Sequence, residues 1–171
     1  MTFTKGIRIF ASGFTLATLM LLQACGSKIT EEEKNKALVL QYYEAINLGR
    51  SDFAENIIAD NFVKINNNES SEKRGPIVFI EAIENHKKNN IDYQFTVEDM
   101  IAEKNKVSVR WAWKSTNIKY DRPREVVSQG ISIFEIDDCK IVKLWQGFDV
   151  LGFNKQLGFK FKSPLEPDST N

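Results

Sequence analysis

The sequence is short of almost everything that ligates metal. It holds one histidine, His86, and two cysteines, Cys25 and Cys139. One imidazole and two distant thiols give none of the paired spacings of a zinc site, so no metal is expected. Two cysteines also exclude a disulfide framework. Gly-rich phosphate loops and the GxSxG nucleophile turn are absent. So is any long run of Lys and Arg, and 23 basic residues balance 23 acidic ones. Nucleic acid is therefore not an expected partner.

What is present begins with a targeting pattern. Lys5 and Arg8 precede an apolar run from Ile9 to Leu22, shorter than the roughly 20 residues of a comfortable membrane span. That is a basic n-region followed by an h-region. The run ends in Leu22-Gln23-Ala24-Cys25, which resembles the lipobox of bacterial lipoproteins. The expectation is a signal peptide over 1–24, a lipidated Cys25 on a tether over 25–30, a domain over 31–160 and a disordered tail over 161–171. Acyl chains on Cys25 would hold the protein at a membrane. The implied location is the bacterial cell envelope, outside the cytoplasm. Gly26 after the cysteine favours the outer membrane where the host has two. Of the 23 basic residues, loss of Lys5 and Arg8 leaves 21 against 23 acidic ones.

Thr30 and Glu33 have capping-box spacing. Leu38, Val39, Tyr42, Tyr43 and Ile46 form one helical stripe, and Gly49 suits its stop. A shorter helix starts at Ser51-Asp52. Residues 61–65 read as a brief strand and 66–74 as a polar loop. Gly75-Pro76 opens a third helix, with Phe79, Ile80 and Ile83 as its apolar face and His86 at its surface, near the negative end. From Ile91 the period becomes two. Four strands follow, the second running Val107, Val109, Trp111, Trp113 on one face. Asp137-Asp138 turns the chain, and Cys139 is a turn residue. Segregated helices and strands give an α+β class.

In order, "YYEAINLGRSDFAENIIADNFV", "FTVEDMIAEKNKVSVRWAWKST", "GISIFEIDDCKIVKLWQGFD" and "LGFNKQLG" resemble the SnoaL-like polyketide cyclases, or ester cyclases, of the nuclear transport factor 2-like superfamily. The resemblance covers about residues 35–159. It implies a cystatin-like α+β barrel: a cone-shaped, curved antiparallel sheet around three N-terminal helices. It also implies an enzyme without a cofactor, with an acid/base carboxylate a few residues after a Trp. Trp145 and Asp149 occupy those places. The histidine that many members carry after the short first strand has no counterpart; Ile65 and Asn66 stand there.

Asp149 has two readings. It is a general acid/base whose burial would raise its pKa, or it is the N-cap of a short helix in "DVLGFNKQLG". Trp145, Trp113, Trp111, Arg110 and Gln129 are the expected pocket lining, with Lys143 on the face of Trp145 by count. Three functions fit. The cone binds a small, largely apolar ligand at a membrane surface. Alternatively it is a cyclase, isomerase or hydrolase using Asp149. In the third, the outer sheet face docks an envelope partner or a second copy.

Overall fold

The computed structural model describes residues 29–161. The expected signal segment, Cys25 and most of the expected tail lie outside the described residues. No described helix is long and apolar enough to cross a membrane.

Helix α1, Glu31–Asn47, begins with the expected capping box. Thr30 Oγ1 accepts from the Glu33 N–H (3.2 Å), and the Glu33 carboxylate accepts from the Thr30 N–H (2.9 Å). Two orphan donors of the first turn are thus satisfied. Gly49, at φ +64°, ends it. A 3-10 turn, Ser51–Phe53, runs into the single turn of α2, Ala54–Ile57. Strand β1 spans Ile58–Asn66, and a two-residue strand β2, Glu69–Ser70, folds back on it inside the expected polar loop. Gly75, with φ +81°, lets Pro76 open α3, Pro76–Asn89. The four expected strands follow as β3 (Asn90–Glu103), β4 (Lys106–Asn117), β5 (Arg124–Asp137) and β6 (Lys140–Phe148).

The six-stranded sheet has the order β2-β1-β6-β5-β4-β3. The four-strand meander is antiparallel, as its alternation suggests. The sheet is nonetheless mixed, because β1 joins β6 in parallel. Asp138 (φ 46°) and Cys139 (φ 59°) form the two-residue β5–β6 turn, whose paired positive φ angles match the strand twist.

One face of the sheet packs on α1 and α3. Val39, Tyr42, Phe79, Ile83, Val107 and Phe134 are buried between them. Each large apolar side chain so buried contributes about 1.5–3 kcal/mol. The inward positions of β5 read Val126, Ser128, Gly130, Ser132, Phe134, Ile136. The middle three are small. Space therefore remains between α1, α3 and the sheet at that level.

After Phe148 the chain leaves the sheet and forms a fourth helix, α4, Val150–Gln156. It lies over β5, whose residues before Gly130 have no β6 neighbour. Gln156 fills that gap. Its Oε1 accepts from the Val127 N–H and its Nε2 donates to the Val127 carbonyl, both at 2.9 Å.

Candidate functional site

The space left by Ser128, Gly130 and Ser132 is a cavity of about 330 Å³ inside the cone. A side chain at Gly130 would close on it. A Cβ there would lie 2.3 Å from Trp111 Cζ2 and 2.5 Å from the Gly147 carbonyl oxygen. Aromatic side chains make much of the apolar part of the wall. Tyr42 and Tyr43 come from α1, Phe95 from β3, Trp111 and Trp113 from β4, and Phe148 from β6. Phe153 of α4 and Leu157 at its C-cap close one side, with Phe153 5.7 Å from Trp113 and 5.9 Å from Phe148, ring centre to ring centre.

Two partly buried basic groups face this wall. Lys64 lies on β1 and His86 on α3. Strand parity puts Lys64 there, because Phe62, Lys64 and Asn66 share one face and Phe62 is buried. Helical spacing puts His86 there, because it continues the buried Phe79–Ile83 stripe at i+3. Desolvation pulls the Lys64 amine down to about 8. Burial, helped by the charge of Lys64, pulls His86 down to about 4. The imidazole is thus neutral at pH 7. Lys119 and Tyr120 stand at the edge of the same cavity, and its lining contains no Asp or Glu.

The neutral polar groups are unevenly satisfied. Trp111 Nε1 donates to Ser132 Oγ (2.9 Å). Asn90 Oδ1 accepts from Ser115 Oγ (3.1 Å) and from Asn117 Nδ2 (3.0 Å). Trp113 Nε1 and Ser128 Oγ, on residues directly opposite across β4 and β5, have no partner among the described residues. Tyr43 Oη also lacks one of good geometry, although Ser132 is near enough to offset slightly the upward push of burial on its phenol. A buried polar atom without a partner costs about 1–3 kcal/mol. A ligand oxygen in the cavity would recover part of that.

The expected site residues divide. Trp111 and Trp113 line the cavity. Trp145, Arg110, Gln129 and Asp149 do not. Arg110 is exposed on the opposite sheet face and pairs there with Glu98 of β3. Gln129 is exposed on that same face, in register with Ala112 of β4. Trp145 also faces outward, under the ammonium groups of Lys143 (4.9 Å) and Lys106 (5.9 Å). A bulge explains the reversal. In β6, Ile141 pairs with Ile136 but Lys143 pairs with Glu135, so β6 carries one extra residue there. That residue flips the parity. Ile141 points inward, and Leu144, Gln146 and Phe148 then take the inward side.

Asp149 is the N-cap of α4, not a pocket carboxylate. Its Oδ1 accepts from the Gly152 N–H at 2.8 Å, and the residue is exposed. Counting two residues at a time from Trp145 does not reach the pocket, because Trp145 itself faces outward and the strand ends at Phe148. His86 is the opposite correction: it lies partly buried in the cavity rather than on the surface. Lys64 was not singled out from sequence, although its i+2 spacing from Phe62 in "NFVKI" was a usable signal.

Residues 36–157 match the model of the SnoaL-like polyketide cyclase family. The chain belongs to that family. No curated protein matches it in sequence. Solved structures similar to this SnoaL-like chain share its fold. TsrD from Streptomyces laurentii is 22% identical, with a TM-score of 0.67 over 75% of this chain and 98% of that one. A SnoaL-like polyketide cyclase from Agrobacterium tumefaciens is 20% identical, with a TM-score of 0.59 over 72% and 98%. An epoxide hydrolase of the LEH-like type from M. tuberculosis is 19% identical, with a TM-score of 0.63 over 75% and 92%.

Proposed function

We propose that the cone binds a small, largely apolar aromatic molecule that carries one anionic or strongly polarised oxygen, and that Lys64 holds that oxygen. The observation that carries this reading is a half-buried lysine in an aromatic cavity whose lining has no carboxylate. The ligand body would stack among Trp111, Trp113 and Phe153. The oxygen would accept from Lys64, with Trp113 Nε1 and Ser128 Oγ as further donors. A cavity of about 330 Å³ lies at the small end of the ligand-site range of about 300–1,000 Å³, which suits a molecule of one or two rings.

Calorimetric titration of the purified protein with 2-naphthoate and with its neutral analogue 2-naphthamide tests this. Naphthoate should bind at one site and about tenfold more tightly, the worth of one charge-assisted hydrogen bond over a neutral one. Equal affinities, or no binding of either, would sink the reading. Asp149 is no acid/base in this reading, because its carboxylate caps α4 and lies outside the cavity.

The proposal includes attachment to a membrane of the cell envelope through acylated Cys25. It rests on Lys5, Arg8, the apolar run and the lipobox-like Leu22-Gln23-Ala24-Cys25. Mass measurement of the membrane-extracted protein should show acyl chains that Cys25→Ser abolishes. A second copy is the proposed partner for the outer sheet face, where Ile131 and Ile133 are 56% and 40% exposed. Sedimentation should show dimers that Ile131→Glu dissociates.

A further inference from the structure

Lys64 has a feature that simple anion binding does not require. A lysine that served only the fold would reach a carboxylate from its apolar surroundings, because an unpaired buried charge is costly. Among the described residues Lys64 Nζ forms no ion pair, although exposed lysines such as Lys73 and Lys87 do. The groups facing it from the surrounding elements are Tyr42 and Tyr43 on α1, His86 on α3, and Lys119 and Tyr120 after β4. None is an acid that would stabilise the ammonium form at neutral pH.

We infer that Lys64 is an amine nucleophile, which condenses with the carbonyl of a small aromatic aldehyde or ketone held in the cone to form an imine. The inference rests on the ligand reading above for the seat of the aromatic body. The neutral amine attacks the carbonyl carbon, and the C=O π pair moves to oxygen, which takes a proton. Nitrogen loses a proton, giving a carbinolamine. The hydroxyl then takes a proton and leaves as water, the nitrogen lone pair closes the C=N bond, and the iminium nitrogen gives up its remaining proton to leave the imine. Amine and carbonyl thus give imine and water, with no oxidant or reductant. The protons that the nitrogen gives up match those that the oxygen takes, so none is gained or lost overall. Trp113 Nε1 and Ser128 Oγ are free to donate to the carbonyl oxygen and polarise it. Desolvation, which lowers the amine to about 8, raises the share of the nucleophilic form at pH 7.5 well above that of an exposed lysine.

The test uses 2-naphthaldehyde with cyanoborohydride at pH 7.5, followed by intact mass and peptide mapping. One naphthylmethyl group should appear on Lys64, at least about tenfold faster than on exposed lysines such as Lys106. An excess of 2-naphthoate should block it. In Lys64→Arg, labelling of the cavity should disappear while the surface lysines are labelled as in the wild type. Labelling spread evenly over surface lysines, or undiminished by naphthoate, overturns the inference. If naphthoate binds the wild type but Lys64 stays unlabelled, imine formation alone falls. If naphthoate does not bind, the ligand reading falls with it.

Discussion

Asp149 and Lys64 are both charged residues set among apolar ones in the sequence, and the fold sends them to opposite places. Lys64 sits inside a strand, on the parity of buried Phe62, and is carried into the cavity. Asp149 follows the last residue of a strand, where parity no longer applies, and its side chain turns back to cap α4. The lesson is that an ionisable residue in greasy company is a site candidate only while the regular element that would aim it inward continues. Asp149 still serves the cavity indirectly, since the helix it caps carries Phe153, and Leu157 at its far end, onto the aromatic wall.

The contrast can be broken or sharpened by experiment. The largest effect is expected from pH. Folding holds His86 near 4, against about 6.5 in the unfolded chain. As pH falls from about 6.5 toward 4, the unfolded chain takes up a proton that the folded one refuses, so stability drops across that window. The loss should be on the order of 2–3 kcal/mol. Comparing denaturant midpoints of wild type and His86→Gln isolates it from the carboxylates that titrate nearby. Parallel curves would return His86 to the surface.

Lys64→Met comes next. It should weaken naphthoate about 10- to 100-fold, or about 1.5–3 kcal/mol. Folding stability should stay level or rise, because an unpaired, partly buried charge is replaced by an apolar chain of similar length. A drop in stability with unchanged binding would mean that Lys64 belongs to the scaffold. Asp149→Ala should do the reverse. It should cost about 1 kcal/mol of stability by thermal melt, yet leave the preference for naphthoate over naphthamide in place. Gly152→Ala sharpens this, since its Cβ would stand 2.2 Å from Asp149 Oδ2 and displace the cap. The double variant should then lose little more than either single one. The smallest effect is Arg110→Ala. Its pair with Glu98 is exposed, so stability should move by less than about 0.5 kcal/mol and binding not at all.

Much of this molecule was legible in the chain. Thr30 and Glu33 marked the start of α1, Gly75-Pro76 that of α3, and Val107 to Trp113 the inner face of β4. These signals are local: a cap needs residues three apart, and a strand face needs only alternation. The sequence therefore determined the α+β class, the meander and two aromatic walls of the cavity. It could not fix which parity of β6 faces inward, because that strand carries apolar residues on both and a bulge switches them at Lys143. Nor could it show that β1 would join β6 in parallel and set Lys64 opposite the helix that bears His86. Those are contacts between segments far apart in sequence, and only the tertiary structure decided them. The strand bulge, the end of β6 at Phe148 and the parallel pairing together determined which charged groups meet inside the cone.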